Sequence, residues 1–193
     1  MRKFTLAAAA AAAAAFVAMP AYAQDEAPDG SRAFGIDPYV AVLGGWEQFD
    51  NEPNEAGIPA ATRGRLDGSL VQGIVGFNVP LGPVFVGAEG NVAKGISGDI
   101  DWEYGVAGRA GVRAGESGLI YGKVGYQWVN FAAFGKDSPD YHAMTYGLGF
   151  EVGPKDIGLG GITDNAGVRL RAEVTTFGDA QSLRPMAGLV AHF

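Results

Sequence analysis

The chain predicts an all-β fold: an eight-stranded antiparallel up-and-down transmembrane β-barrel. Three observations carry that reading. Apolar residues recur at every second position through eight separate stretches, the period of a strand whose two faces meet different surroundings. The apolar rows hold no Asp, Glu, Lys or Arg, whereas the opposite rows hold Glu47, Glu89, Arg109, Arg113, Lys123, Glu151, Arg169, Arg171, Glu173 and Arg184. Those charged rows are also crowded with Gly and Ala, which are wasteful on a soluble surface. They suit the inside of an eight-stranded barrel, where side chains barely fit.

Bulk composition agrees. The 193 residues suffice for one sizeable domain, charged residues are scarce at 18%, and Gly is abundant at 31. Cysteine is absent, which excludes disulfide scaffolds, zinc–thiolate sites and thiol catalysis. A formal net charge of −7 argues against nucleic-acid binding, which needs a basic footprint.

Residues 1–23 read as a signal peptide. Arg2 and Lys3 form a basic head, and an alanine-dominated apolar run extends from Phe4 to Met19. Ala21-Tyr22-Ala23 then supplies a small-x-small site for cleavage after Ala23. The run is shorter than the roughly 20 residues of a helical span. Its removal takes two cations and no acids, shifting the net charge from −7 to −9. Residues 24–36 are polar and punctuated by Pro and Gly, a periplasmic leader ahead of a barrel over 37–193.

Eight strands follow in order: 38–48, 69–79, 83–93, 103–114, 118–129, 141–152, 167–177 and 183–193. Their lengths sit near the 9–11 residues of a tilted membrane strand. The first is ambiguous, since both rows are fairly apolar; placing Val40, Val42, Gly44 and Trp46 toward lipid puts Glu47 inside. The fifth is plainer. Ile120, Val124, Tyr126 and Trp128 belong to the lipid side, and Lys123 and Gln127 to a confined wet interior. The seventh is sharpest, with Val168, Leu170, Ala172 and Val174 set against Arg169, Arg171, Glu173 and Thr175.

A lipocalin-like soluble barrel would invert these faces. Besides the Gly-rich charged rows, aromatics argue against it. Trp46, Phe77, Trp102, Tyr104, Tyr126, Trp128 and Phe150, with Tyr141 and Phe193, gather toward strand ends, where membrane-interface girdles lie. Short turns at 80–83 and 115–118 alternate with longer polar connections at 49–68, 94–102 and 130–140. That parity puts the short turns and both termini in the periplasm and the long loops outside. The connection 153–166 is long for a turn, and 178–182 is short for an outer loop.

The ending "RPMAGLVAHF", residues 184–193, alternates and stops on Phe193. With the leader and the Gly-aromatic strands, it resembles the small Gram-negative outer-membrane β-barrel superfamily of opacity proteins and OmpA-type transmembrane domains. The resemblance covers roughly residues 37–193. It implies an outer-membrane location beside lipopolysaccharide, assembly by the outer-membrane machinery with Phe193 as its signal, and a monomer. It also implies a structural or surface role, in envelope integrity or in adhesion or recognition of an extracellular ligand through the loops. A narrow porin-like channel is the alternative. A lipid A-modifying enzyme is a weaker one, resting on His142 near Ser138, Asp140 and Tyr141. Neither a cofactor nor a metal site is expected. The charged row is expected to form ion pairs between neighbouring strands, because unpaired charges at low dielectric are costly.

Overall fold

The computed structural model describes residues 35–51, 57–59, 64–114, 118–135, 137–153 and 167–193. The expected signal peptide, most of the leader, the tip of the 115–118 turn and nearly all of the 153–166 connection lie outside the described residues.

Eight strands are present: β1 Asp37–Phe49, β2 Asp67–Leu81, β3 Val84–Gly98, β4 Ile100–Ala114, β5 Gly118–Phe131, β6 Tyr141–Val152, β7 Val168–Phe177 and β8 Ser182–His192. Each pairs antiparallel with the next, and β8 closes on β1. Following paired residues once round, from Tyr39 through Gly76, Glu89, Ala107, Gly125, Thr145, Phe177 and Ser182, returns to β1 at Phe49. Phe49 lies ten residues beyond the start. A stagger of ten over eight strands tilts them by about 40°.

Burial alternates with the sequence period through the middle of the strands and breaks at some ends, as over Val129–Phe131 and the tail of β3. In β5, Tyr121, Lys123, Gly125 and Gln127 are buried while Ile120 and Val124 are exposed. From Trp102 to Val112 on β4 the outward row is Trp, Tyr, Val, Gly, Ala and Val, with no charge. Ten steps at ~3.3 Å, tilted by ~40°, cover roughly 25 Å along the axis, the height of a bilayer's apolar band. Leu148 is 74% exposed at the middle of β6, a position that makes sense against acyl chains.

Two expectations need correction. The connection at 94–102 is not a long loop. β3 runs to Gly98 and β4 restarts at Ile100, so the two strands project as one extended hairpin turning at Gly98 (φ 88°) and Asp99. β3 and β4 pair as far as Lys94 opposite Trp102, Lys94 pairs with Asp101, and the β3 tail goes on pairing with β2 to Gly98 through a register shift. Tyr141 does not join the outer girdle either. It turns inward against Phe131 and Phe134, with ring centroids 5.8 and 6.0 Å away.

Candidate functional site

The most distinctive chemistry among the described residues fills the barrel. Strand parity aims the charged rows inward, and the barrel stagger sets which of them meet. The near end is taken here as the end holding Asp37 and Phe193, and the far end as its opposite.

At the near end, His192 bridges two carboxylates: Nδ1 lies 2.9 Å from Asp37 and Nε2 lies 2.9 Å from Glu151. Asn78 donates to the same Asp37 oxygen at 3.2 Å. Arg113, half-buried, and Arg169, buried, line the interior beside Asp37 and Asn78.

The middle layer is built on Glu89, Glu173, Lys123, Arg109 and Arg171. Arg171 donates to Glu89 at 2.8 Å and to Glu173 at 2.7 Å. Lys123 bridges the same two acids at 3.0 and 2.9 Å. Arg109 donates to Glu151 at 2.9 Å and to the Tyr39 hydroxyl at 3.1 Å, while Tyr39 donates onward to Glu89 at 2.7 Å. The Arg109 guanidinium lies 4.1 Å over the Tyr121 ring, and Tyr121 donates to Glu173 at 3.2 Å. Small residues make room for these rings. A Cβ on Gly76 would sit 2.5 Å from the Tyr39 ring, and one on Gly149 would sit 2.4 Å from Tyr121.

Toward the far end, Arg184 pairs with Glu103, reaches Gln72 at 2.8 Å and approaches Glu47 at 3.7 Å. Gln127 donates to Glu103 at 2.7 Å, and Ser182 donates to Glu47 at 2.6 Å. Above these, Phe49, Phe131 and Phe177 pack edge-on with centroids 5.2 and 5.8 Å apart. Ile58, Leu66, Ile100 and Val129 complete an apolar cap.

Several bridges cross the barrel. Arg171 on β7 and Glu89 on β3 stand four strands apart on opposite walls, as do Arg184 on β8 and Glu103 on β4. The expectation of pairing between neighbouring strands therefore describes only part of the network. Sequence reasoning also missed Asp37, Glu103, Gln72, Asn78, Tyr39 and Tyr121 as members. Glu103 shares parity with Arg109, and each tyrosine faces an inward glycine on a paired strand, Gly76 or Gly149; these were the available signals.

Of the aromatics expected at the interfaces, Trp102, Tyr104, Tyr126 and Trp128 gather outward at the far end of β4 and β5, and Trp46 stands outward on β1. Phe77 and Phe150 lie outward nearer the other end, with Phe193 exposed beyond β8. His142 hydrogen-bonds Tyr126, whereas Ser138 donates to the Pro139 carbonyl and Asp140 accepts from Tyr104 and Asn130. Ser138, His142 and Asp140 thus form no relay.

No family model matches the chain, and no curated protein matches it. Among solved structures it is similar to Neisserial surface protein A, at 12% identity and TM-score 0.49, covering 82% of this chain and 99% of that one. It is also similar to Ail, the attachment invasion locus protein of Yersinia pestis, at 15% identity and TM-score 0.45, covering 81% and 97%. A de novo designed transmembrane β-barrel is similar at 13% identity and TM-score 0.48, covering 84% and 99%. At that level of likeness, function has to be read from the chain's own residues.

Proposed function

We propose that the chain is a monomeric outer-membrane β-barrel with a structural and surface-exposed role. Residues 1–23 direct export, cleavage follows Ala23, and both ends of the barrel segment face the periplasm. Phe193 serves as the signal to the assembly machinery, and the far end stands outside among lipopolysaccharide. One observation supports this reading above all: the outward row of β4 is uncharged over a bilayer's height, with Lys94 at its far-end margin, while nine of the ten singled-out ionised side chains are buried within. Only a lipid exterior favours that arrangement, since water outside would reward the reverse.

A structural role fits the interior better than conduction does. Cross-wall bridges and an aromatic cap occupy the bore, so an ion would have to displace several buried pairs. In planar bilayers, the refolded protein is expected to show no steady conductance. Steady, ion-selective openings would transfer the assignment to a channel.

The far end also limits what it would recognise. Its described connections and strand tips hold Asp50, Asp67, Asp99, Asp101, Asp137, Asp140 and Asp179 against Arg65 and Lys94. That acidic excess selects cationic or neutral ligands and repels polyanions.

A further inference from the structure

The outer wall carries a groove of about 590 Å³, floored by Ala88, Gly90 and Gly108 and flanked by Phe77, Tyr126 and Met144. It follows one rung of the hydrogen-bond ladder: Val75 pairs with Gly90, Gly90 with Val106, Val106 with Tyr126, and Tyr126 with Met144. Four inter-strand steps of ~4.8 Å make it roughly 19 Å long. With strands tilted by ~40°, it climbs about 12 Å toward the far end.

The barrel interior does not require the floor to be small. A Cβ on Gly90 or Gly108 would come no closer than 3.9 Å to another atom. At the inward-facing Gly111 the same Cβ would meet the Ile120 carbonyl at 2.1 Å. The two outward glycines therefore shape only the exterior. Beyond its Tyr126 rim, toward the far end, lies a polar cluster: the Tyr126 hydroxyl lies 2.5 Å from His142 Nδ1, and Tyr104 donates to Asp140 at 2.8 Å. Tyr104 also stacks on Trp128, with centroids 5.4 Å apart. The neighbouring Lys94 is already paired with Asp101.

We propose that this groove holds one acyl chain of a glycolipid, with a neutral sugar of its headgroup against Tyr104, Trp128, Asp140 and His142. The apolar floor matches the chain. Aromatic faces, a carboxylate and an imidazole match the C–H faces and hydroxyls of a sugar, whereas two acids beside one paired lysine disfavour a bare phosphate. The proposal rests on the wall facing lipid, as in the function proposed above.

The test uses the refolded full chain in an oxyethylene detergent, titrated with dodecyl maltoside or dodecylphosphocholine and read by native mass spectrometry. These probes share the chain length and differ in headgroup. One saturable maltoside adduct is expected, bound about tenfold more tightly than phosphocholine. Gly90→Leu with Gly108→Leu should abolish it, while Gly44→Leu, on β1 outside the groove, should leave it intact. Tyr104→Phe with His142→Phe should reduce maltoside binding to the phosphocholine level; this pair carries the test should the leucines impede folding. Equal adducts from both probes, or an adduct that survives the leucines, would overturn the proposal. So would a dimer lost with the leucines, because a second copy would then fill the groove. A chain soluble without detergent would sink the membrane reading itself; a detergent-dependent barrel with no saturable adduct would sink only the groove.

Discussion

Arg171 shows how the interior is held. It is 1% exposed and contacts Glu89 and Glu173, which Lys123 bridges from another side. Truncating it leaves Glu173 with Lys123 alone, and Glu89 with Lys123 and the more distant Arg109 at 3.6 Å, all in a buried layer. Arg171→Ala is expected to destabilise the barrel by about 3–5 kcal/mol, the usual cost of orphaning a buried ionic partner. The urea midpoint of the folded form in detergent micelles measures this. An unshifted midpoint would show the network to be dispensable. His192 makes a comparable tie where β8 meets β1, bonding Asp37 on the first strand and Glu151 on the sixth. Its inward position is legible from parity alone, but its two partners lie 155 and 41 residues away and are not.

Strands reveal a division among glycines. Some facing inward, such as Gly149, clear space for a ring, and others are held to glycine by backbone: a Cβ on Gly188 would sit 2.0 Å from the Val42 carbonyl, at the seam where β8 closes on β1. Gly73 faces outward, and a Cβ there meets nothing within 4 Å. Gly188→Val should therefore block closure and deplete the heat-modifiable folded band on gels, while Gly73→Val should fold normally. Equal folding of the two variants would contradict the assigned facing. The last strand offers a second check. Deleting Phe193, exposed beyond β8, is expected to lower the fraction assembled in the outer membrane while leaving detergent refolding nearly unchanged. The strand boundaries were closely legible, because two-residue alternation persists over ten or more positions. The β3–β4 hairpin was not, because Asp99 and Asp101 looked like loop residues although pairing continues to Gly98.

As a whole, the molecule is an apolar cylinder with an ionic interior, one aromatic-capped end and an acidic rim. The rim predicts weak attraction to polyanions. The protein in detergent should pass through a heparin column at physiological salt, and retention there would mean that the far-end cations Arg65 and Lys94 are clustered away from the seven acids. The absence of steady bilayer currents belongs to this level too, since it depends on the whole bore being filled rather than on one pair.

Alternation alone assigned most strand side chains to the wall or the bore, because a strand reverses direction at every residue; it fails where the ladder slips, as at Ile100 and Trp102, which share parity yet face the cap and the wall. Which ionised groups would touch was beyond its reach. Arg171 meets Glu89 from 82 residues away on the opposite wall, and that meeting follows from eight strands closing with a stagger of ten. Closure is a property of all the pairings together, so it became visible only in the assembled barrel.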